Sequence, residues 1–317
     1  MRFLLDPRVS PPAPVLPAGK DAVIENLRSR ILHIERHAPR RGAVASAQEG
    51  AALPRAGRRR VSWELGCPAC DDLLPRGLET NSLHEIKGQS SARRGASAAD
   101  WMAGIGFAAR LAVRRIDALA AAQGPNASVS LVKPWVLWCW PRQLAGEFGS
   151  PSAAGLASLG LDPSRLLIVE TARAGDALNA IEESLRAQSL AVVIGVIEEA
   201  ELTPARRLSL AAGETATPCL LVTHPASEPA GATATRWRVQ RIASAAQSFE
   251  PRAPGAPRFS IALERCRARP ESVARPPMFL EWNDETRRFD LASVVADLPA
   301  QTRGAGGRPV RAAVRAY

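Results

Sequence analysis

The stretch Leu83-His84-Glu85-Ile86-Lys87-Gly88, followed by Gln89-Ser90-Ser91-Ala92-Arg93-Arg94-Gly95, decides the fold. Its first six residues are typical of a strand and the next seven of a polar loop. Beyond the loop, apolar residues recur at helical spacing, at Trp101, Ile105, Ala108, Ala112, Ile116 and Leu119. This periodicity predicts a long helix with one buried stripe. The chain therefore passes from a strand through a polar loop into a helix.

The loop resembles a phosphate-binding loop that has lost its working parts. A functional loop has the form G-x-x-x-x-G-K-[ST], in which the lysine meets the terminal phosphates and the hydroxyl meets magnesium. Gly88 supplies the first glycine, but Arg93, Arg94 and Gly95 stand where the second glycine, the lysine and the hydroxyl residue belong. Arginine still donates to phosphate, although its shape differs from that of lysine. The predicted degenerate nucleotide-binding residues are Gly88, Ser90, Ser91, Arg94 and Gly95.

The following segments alternate between apolar strands and amphipathic helices. The predicted strands are 132–140, 165–169, 190–197 and 218–223, and the predicted helices are 152–159, one capped by Asp176 and one from Thr203-Pro204 to about Ala212. This alternation predicts an α/β fold with a mostly parallel sheet covered by helices on both faces. The shorter strands 235–242, 259–264, 279–282 and 288–291 are expected to extend the C-terminal edge as antiparallel strands.

Composition narrows the class of protein. The net charge is +10 and nearly all basic residues are arginine, which is compatible with DNA, RNA or an acidic partner, and equally with a coding bias towards arginine. Five scattered cysteines suggest a reduced, cytoplasmic protein. No apolar run approaches the ~20 residues of a membrane span, so no membrane association is expected. Cys67 and Cys70 have metal-type spacing, but no second ligand pair accompanies them, and we predict no metal site.

The chain divides into three parts. Residues 1–60 comprise an N-terminal tail, an amphipathic helix over 21–36 and a basic linker, and residues 61–292 form the core. The Gly-, Arg- and Ala-rich residues 293–317 are predicted to be a disordered basic tail. The helix either packs on the core or docks on a partner, and packing is favoured.

Several motifs, in order and spacing, carry a resemblance to a known family. They are Gly66 to Gly88, Leu159-Gly160-Leu161-Asp162-Pro163-Ser164 with the strand after it, Asp176 to Arg186, Leu202-Thr203 and Thr235 to Val239. Over about residues 61–291 the pattern resembles the ATPase core of the RecA recombinases. More narrowly, it is similar to the ImuA family, RecA-like accessory proteins of bacterial damage-induced (SOS) mutagenesis that are related to the division inhibitor SulA.

The resemblance implies a RecA-like, P-loop-type fold and an adaptor role in translesion DNA synthesis, a form of error-prone DNA repair. The implied partners are error-prone polymerases, one Y-family-like and one of replicative type, with RecA and weak DNA contact as further candidates. The implied location is the cytoplasm, at the nucleoid after DNA damage.

Departures from the family pattern argue against catalysis. The resemblance places a water-activating glutamate after the strand 132–140, but Pro141 and Arg142 follow it. Gly195 stands where the magnesium-binding aspartate is expected, and Glu198 and Glu199 are displaced replacements or a solvated strand end. Phosphoryl transfer depends on positioning and charge compensation. We therefore expect no enzyme activity, no catalytic residue and no required cofactor, and residual binding of ATP without turnover stays open.

Three other functions remain open. The first is an active ATPase that uses Arg94 with Glu198 or Glu199. The second is a SulA-like inhibitor of cell division. The third is a DNA-binding protein whose affinity falls steeply with salt.

The candidate residues for binding a partner or DNA are basic. In a strand, Arg236 and Arg238 share one face while Trp237 points the other way. They either bind a partner or are surface arginines beside a buried tryptophan. Arg311 and Arg315 in the tail are further candidates. His84, within a strand, is expected to be a structural histidine.

Overall fold

The computed structural model describes residues 62–74, 77–90, 97–123, 135–187, 189–244, 247, 250 and 253–292. The predicted helix 21–36, the basic linker and the C-terminal tail lie outside the described residues. So do Ser91, Arg94, Gly95, Arg311 and Arg315.

A nine-stranded sheet dominates the part of the chain that the structure describes. Its strands in chain order are β3 (Leu83–Gly88), β4 (Trp135–Pro141), β5 (Leu166–Thr171), β6 (Leu190–Ile197), β7 (Cys219–Thr223), β8 (Thr235–Ile242), β9 (Arg258–Cys266), β10 (Met278–Asn283) and β11 (Arg288–Leu291). Their spatial order is β11-β10-β9-β8-β3-β7-β6-β4-β5. Two short strands, β1 (Ser62–Trp63) and β2 (Leu78–Glu79), form a separate antiparallel pair.

Helices cover both faces of this sheet. They are α1 (Pro68–Asp71), α2 (Ala98–Gln123), α3 (Arg142–Phe148), α4 (Ala153–Ser158), α5 (Ala174–Arg186) and α6 (Leu202–Thr215). Helix α2 shares one hydrophobic core with β3, β6 and β8, and α5 and α6 share a second core on the opposite face. Every residue of β6 is buried, as expected for a strand with helices on both sides. The α/β class and the mostly parallel, doubly covered sheet are confirmed.

Two predictions about the elements need correction. Strand β8 was expected to be antiparallel, but it pairs in parallel with β3, and the change of direction comes only at β9. A short strand with alternating residues does not reveal its direction, because either orientation presents the same two faces. Helix α3 was not predicted, since only Leu144 and Ala145 in it are buried and two positions make no periodic stripe.

Two predicted helix starts are also displaced. Asp176 lies in the first turn of α5, not at its cap, and Arg173 occupies the cap position without a side-chain bond. Helix α6 begins at Leu202, before Thr203-Pro204, and continues to Thr215. Within the described ranges, no helix is both long and apolar enough to cross a membrane.

Candidate functional site

The degenerate loop begins where β3 ends, between β7 and β8 in the interior of the sheet. The Gln89 amide donates to the Val239 carbonyl at 2.8 Å, so the chain remains paired with β8 just past Gly88. A Cβ atom placed on Gly88 would overlap the backbone carbonyl oxygen of Asp100 in the first turn of α2. Glycine here permits the close approach of strand and helix. Ser90 follows and is half-buried.

The N-terminus of α2 already carries a negative charge. The Ser97 amide and the Ser97 hydroxyl both donate to Asp100 Oδ2, each at 2.9 Å. This arrangement resembles a capping box, in which a side chain satisfies backbone amides at the start of a helix. A carboxylate also complements the positive end of the helix dipole. The first turn of α2 therefore holds an acid where an anionic phosphate would otherwise be attracted.

Lys87, the residue before Gly88, is completely buried, and every N–H group of its ammonium donates a hydrogen bond. Its ammonium donates to Ser227 Oγ at 2.8 Å, to the Ser227 carbonyl at 2.7 Å and to Thr223 Oγ1 at 3.3 Å. Lysine has three N–H donors, and all three are used. Burial lowers the pKa of Lys87, and the carboxylate of Glu85 counteracts part of that effect. Lys87 holds the 224–230 turn against β3.

Glu85 is the other charged residue of β3 and is also 0 % exposed. Its Oε2 accepts from Arg236 Nε at 2.7 Å. Its Oε1 accepts from Thr223 Oγ1 at 3.0 Å and from the Ala230 amide at 3.1 Å. Lys87 Nζ lies 3.8 Å from the same oxygen. Glu85 therefore joins β3, β7, β8 and the turn before β8.

Arg238 lies two residues after Arg236 on β8, opposite Lys87 in the sheet register. Its guanidinium makes two bonds to Glu264, at 2.7 and 3.2 Å. It also donates to the carbonyls of Gly88 at 3.1 Å and Pro225 at 2.9 Å.

The structure thus places two of the predicted partner-binding residues within the fold. The Arg236 and Arg238 side chains are 13 % and 20 % exposed and each forms an ion pair within the chain. Trp237 points the opposite way, as predicted, and is completely buried, with Nε1 donating to Thr235 Oγ1 at 3.1 Å. A contact of either arginine with a partner stays a prediction.

Sequence reasoning did not identify Glu85, Lys87 and Glu264 as the partners of these groups. The sequence did contain a signal for this pairing, because the charged residues Glu85 and Lys87 lie on one face of the otherwise apolar strand β3. Arg236 and Arg238 alternate in the same way on β8. Matched opposite charges on strands of one sheet indicate cross-strand pairing.

The positions expected to hold catalytic acids are filled differently. A Cβ on Gly195 would meet Ile181 and Leu221 side chains, so this position packs beneath α5. Glu198 and Glu199 follow β6 and are exposed, and Gln143 Nε2 lies 3.5 Å from Glu198 Oε1. Strand β4 runs directly into Pro141 and α3 without a carboxylate at its end.

His84 and the cysteines are buried. His84 contacts Thr235 Oγ1 and the Glu79 carbonyl, both at 2.8 Å, and burial lowers its pKa to about 4. Burial also raises the pKa of the Cys70 thiol far above its usual range. Among the residues that the structure describes, no group of three or more His, Cys, Asp or Glu side chains is arranged to hold a metal ion.

A second feature is an apolar groove between α2 and the pair α3–α4. It has a volume of about 290 Å³. Met102, Ile105 and Ala109 of α2 line one side, and Phe148 and Leu156 line the other. Trp138 and Trp140 of β4 also line it, with their rings 5.9 Å apart. Met102 is 47 % exposed, so this groove opens to solvent.

No protein-family model matches the sequence, and a search of curated proteins finds no match.

Proposed function

We propose that this protein is a non-catalytic adaptor of RecA-like, P-loop-type architecture that acts in damage-induced translesion DNA synthesis. It works by contacting error-prone polymerases, one Y-family-like and one of replicative type, with RecA as a further partner. The non-catalytic part of this proposal rests on the structure at the start of the degenerate loop. There the first turn of α2 packs on Gly88 and places the Asp100 carboxylate at the helix N-terminus.

The RecA-like part of the proposal is supported by the position of β3. This strand lies inside the parallel part of the sheet and is followed by the loop and by α2, the longest described helix. Strands β9, β10 and β11 extend one edge in antiparallel fashion. These features agree with the resemblance drawn from the motifs between Gly66 and Val239.

The proposed lack of ATP hydrolysis is supported by the contacts that Lys87 and Gly195 make within the fold. A phosphoryl-transfer site needs a cation on the terminal phosphates, a metal ligand and a group that positions water. Lys87 is the buried cation nearest to the loop along the chain, and its three donors are bonded to Thr223 and Ser227. The side of Gly195 that would carry a metal-binding acid is packed against Ile181.

A nucleotide assay tests the non-catalytic part. We expect the full chain with Mg²⁺ to show no ATP hydrolysis above that of an Arg94→Ala variant. An Arg142→Ala variant, altered at an exposed position after β4, controls for the loss of one positive charge. Turnover that disappears in Arg94→Ala but persists in Arg142→Ala would establish an active ATPase and refute the adaptor.

A pull-down tests the partners. The tagged full chain is recovered from cells before and after DNA damage, and bound proteins are identified by mass spectrometry. We expect error-prone polymerase subunits to be enriched after damage, and loss of the gene to lower damage-induced mutation. Binding to the division GTPase, with filamentation on expression and an unchanged mutation rate, would instead establish a SulA-like inhibitor.

A further inference from the structure

We propose that the apolar groove between α2 and α3–α4 is the docking site of residues 21–36 of the same chain, bound in cis as an amphipathic helix. This inference does not depend on the proposed function. It rests on the groove, on the sequence of the segment and on where the described chain begins.

The groove suits aliphatic side chains. Its walls are almost entirely apolar, and its volume of about 290 Å³ lies near the lower end of the range of small-molecule sites. It is open along the side of Met102, a residue type whose flexible side chain adapts to different partners. An apolar opening beside a helix is the kind of site that receives the apolar face of another helix.

The two tryptophans that line the groove lack a hydrogen-bond partner for their indole nitrogens. Trp138 and Trp140 each bury an indole Nε1–H that finds no acceptor among the described residues. Leaving a buried donor without a partner is unfavourable. Both nitrogens are already shielded from solvent and an aliphatic helix face brings no acceptor, so these donors do not identify what fills the groove.

Residues 21–36 have the pattern that such a groove needs. Val23, Ile24, Leu27, Ile31 and Ile34 recur at helical spacing and fall on one side of a helix. Ser29 falls near the middle of the opposite side, with charged residues around it. A helix that is apolar on one side only is stabilised mainly by packing that side against another surface.

The described chain begins beside the helix that lines the groove. Trp63 Nε1 donates to the Leu111 carbonyl of α2 at 3.2 Å. Met102 precedes Leu111 on the same helix by about 13 Å along its axis. The connector 37–61 has a typical end-to-end distance of about 25–30 Å when it behaves as a random coil.

Binding in cis follows from this reach. A segment tethered by a short connector is present at an effective concentration of about millimolar. A second copy of the chain supplies the same segment only at its bulk concentration. The groove of each chain is therefore expected to be filled by the segment of that chain.

Photocrosslinking in the full chain tests the proposal. The photoreactive residue p-benzoylphenylalanine is placed at Met102, on the rim of the groove. The control position is Leu210, which is 67 % exposed on α6, over the opposite face of the sheet. We expect crosslinks from Met102 to peptides within 21–36 and none from Leu210 to that segment. Crosslinks from Met102 that never reach residues 21–36 would refute the proposal.

Isotope mixing decides between cis and trans. Unlabelled and ¹⁵N-labelled chains are mixed before irradiation. We expect every crosslinked pair to carry one isotope only. Mixed-isotope pairs would show that a second copy occupies the groove and would overturn docking in cis.

Two pairs of variants test the contact from each side. Leu27→Asp should lower the crosslink yield about tenfold or more, because a charge replaces a buried aliphatic side chain, whereas Ser29→Asp should leave it nearly unchanged. Gly155→Leu places a side chain in the groove and should also lower the yield. Gly146→Leu is its matched control, because Gly146 lies on α3 with open space around it and does not line the groove. Equal yields within either pair would contradict the proposal.

Discussion

The Glu85–Arg236 ion pair offers the sharpest test of how the candidate site is held together. Glu85→Gln keeps the shape of the side chain but removes its charge. Lys87 and Arg236, whose side chains are 1 % and 13 % exposed, then lose their carboxylate. The amide nitrogen of glutamine also cannot accept from Arg236 Nε.

The expected loss is large because both cations stay buried. Removing one partner of a buried ion pair costs about 3–5 kcal/mol of unfolding free energy. Glu264→Gln is the matched control, because Glu264 pairs with Arg238 in a similar geometry but is 32 % exposed. Arg238 also keeps its bonds to the Gly88 and Pro225 carbonyls. The control should lose about 0–1 kcal/mol.

Urea unfolding measures this difference. With a dependence of about 2–3 kcal/mol per M, Glu85→Gln should lower the midpoint by about 1–2 M. The midpoint of Glu264→Gln should move by less than about half of that. Losses that agree within about 1 kcal/mol would refute the reasoning, since burial would then make no difference to these two pairs.

The same variant has a distinctive pH dependence. The pKa of Lys87 is lowered by burial and raised by Glu85, so the substitution lowers it further. At pH values between the pKa of Lys87 in the folded state and its pKa in the unfolded state, the unfolded state holds more protons. The unfolding free energy therefore rises with pH in this range. The deficit of Glu85→Gln should therefore shrink as pH rises towards the ordinary pKa of lysine. The deficit of Glu264→Gln should change less.

Two further predictions concern β3. The pKa of His84 is lowered from 6.5 to about 4 by burial, so the unfolded state binds a proton that the native state does not. Stability should fall by about 3 kcal/mol as pH decreases from 6.5 to 4, and an unfolding series in His84→Gln should lack that part of the slope. Gly88→Ala should cost about 1–3 kcal/mol or more, because its Cβ meets the Asp100 backbone. Gly146 has open space around it, so Gly146→Ala is the control and should raise the unfolding free energy, measured by thermal unfolding, by up to about 1 kcal/mol. Equal effects of the two glycine substitutions would contradict the close packing at Gly88.

The sequence alone was sufficient for the elements that carry a strong local pattern. Leu190–Ile197 is a continuous apolar run, and both its class and its bounds were predicted because a strand buried on both faces needs apolar residues throughout. The order of strands and helices likewise predicted the parallel sheet. Gly88 was identified from its motif, although its packing against Asp100 was not.

Tertiary structure decided the direction of β8, the partners of the charges and the position of the groove. Arg236 and Glu85 are 151 residues apart in the chain, and no local period links them. The groove forms where Phe148 at the end of α3 and Leu156 of α4 lie opposite Met102 of α2. Periodicity records which side of an element is buried, whereas pairing and shape depend on which distant segment covers it.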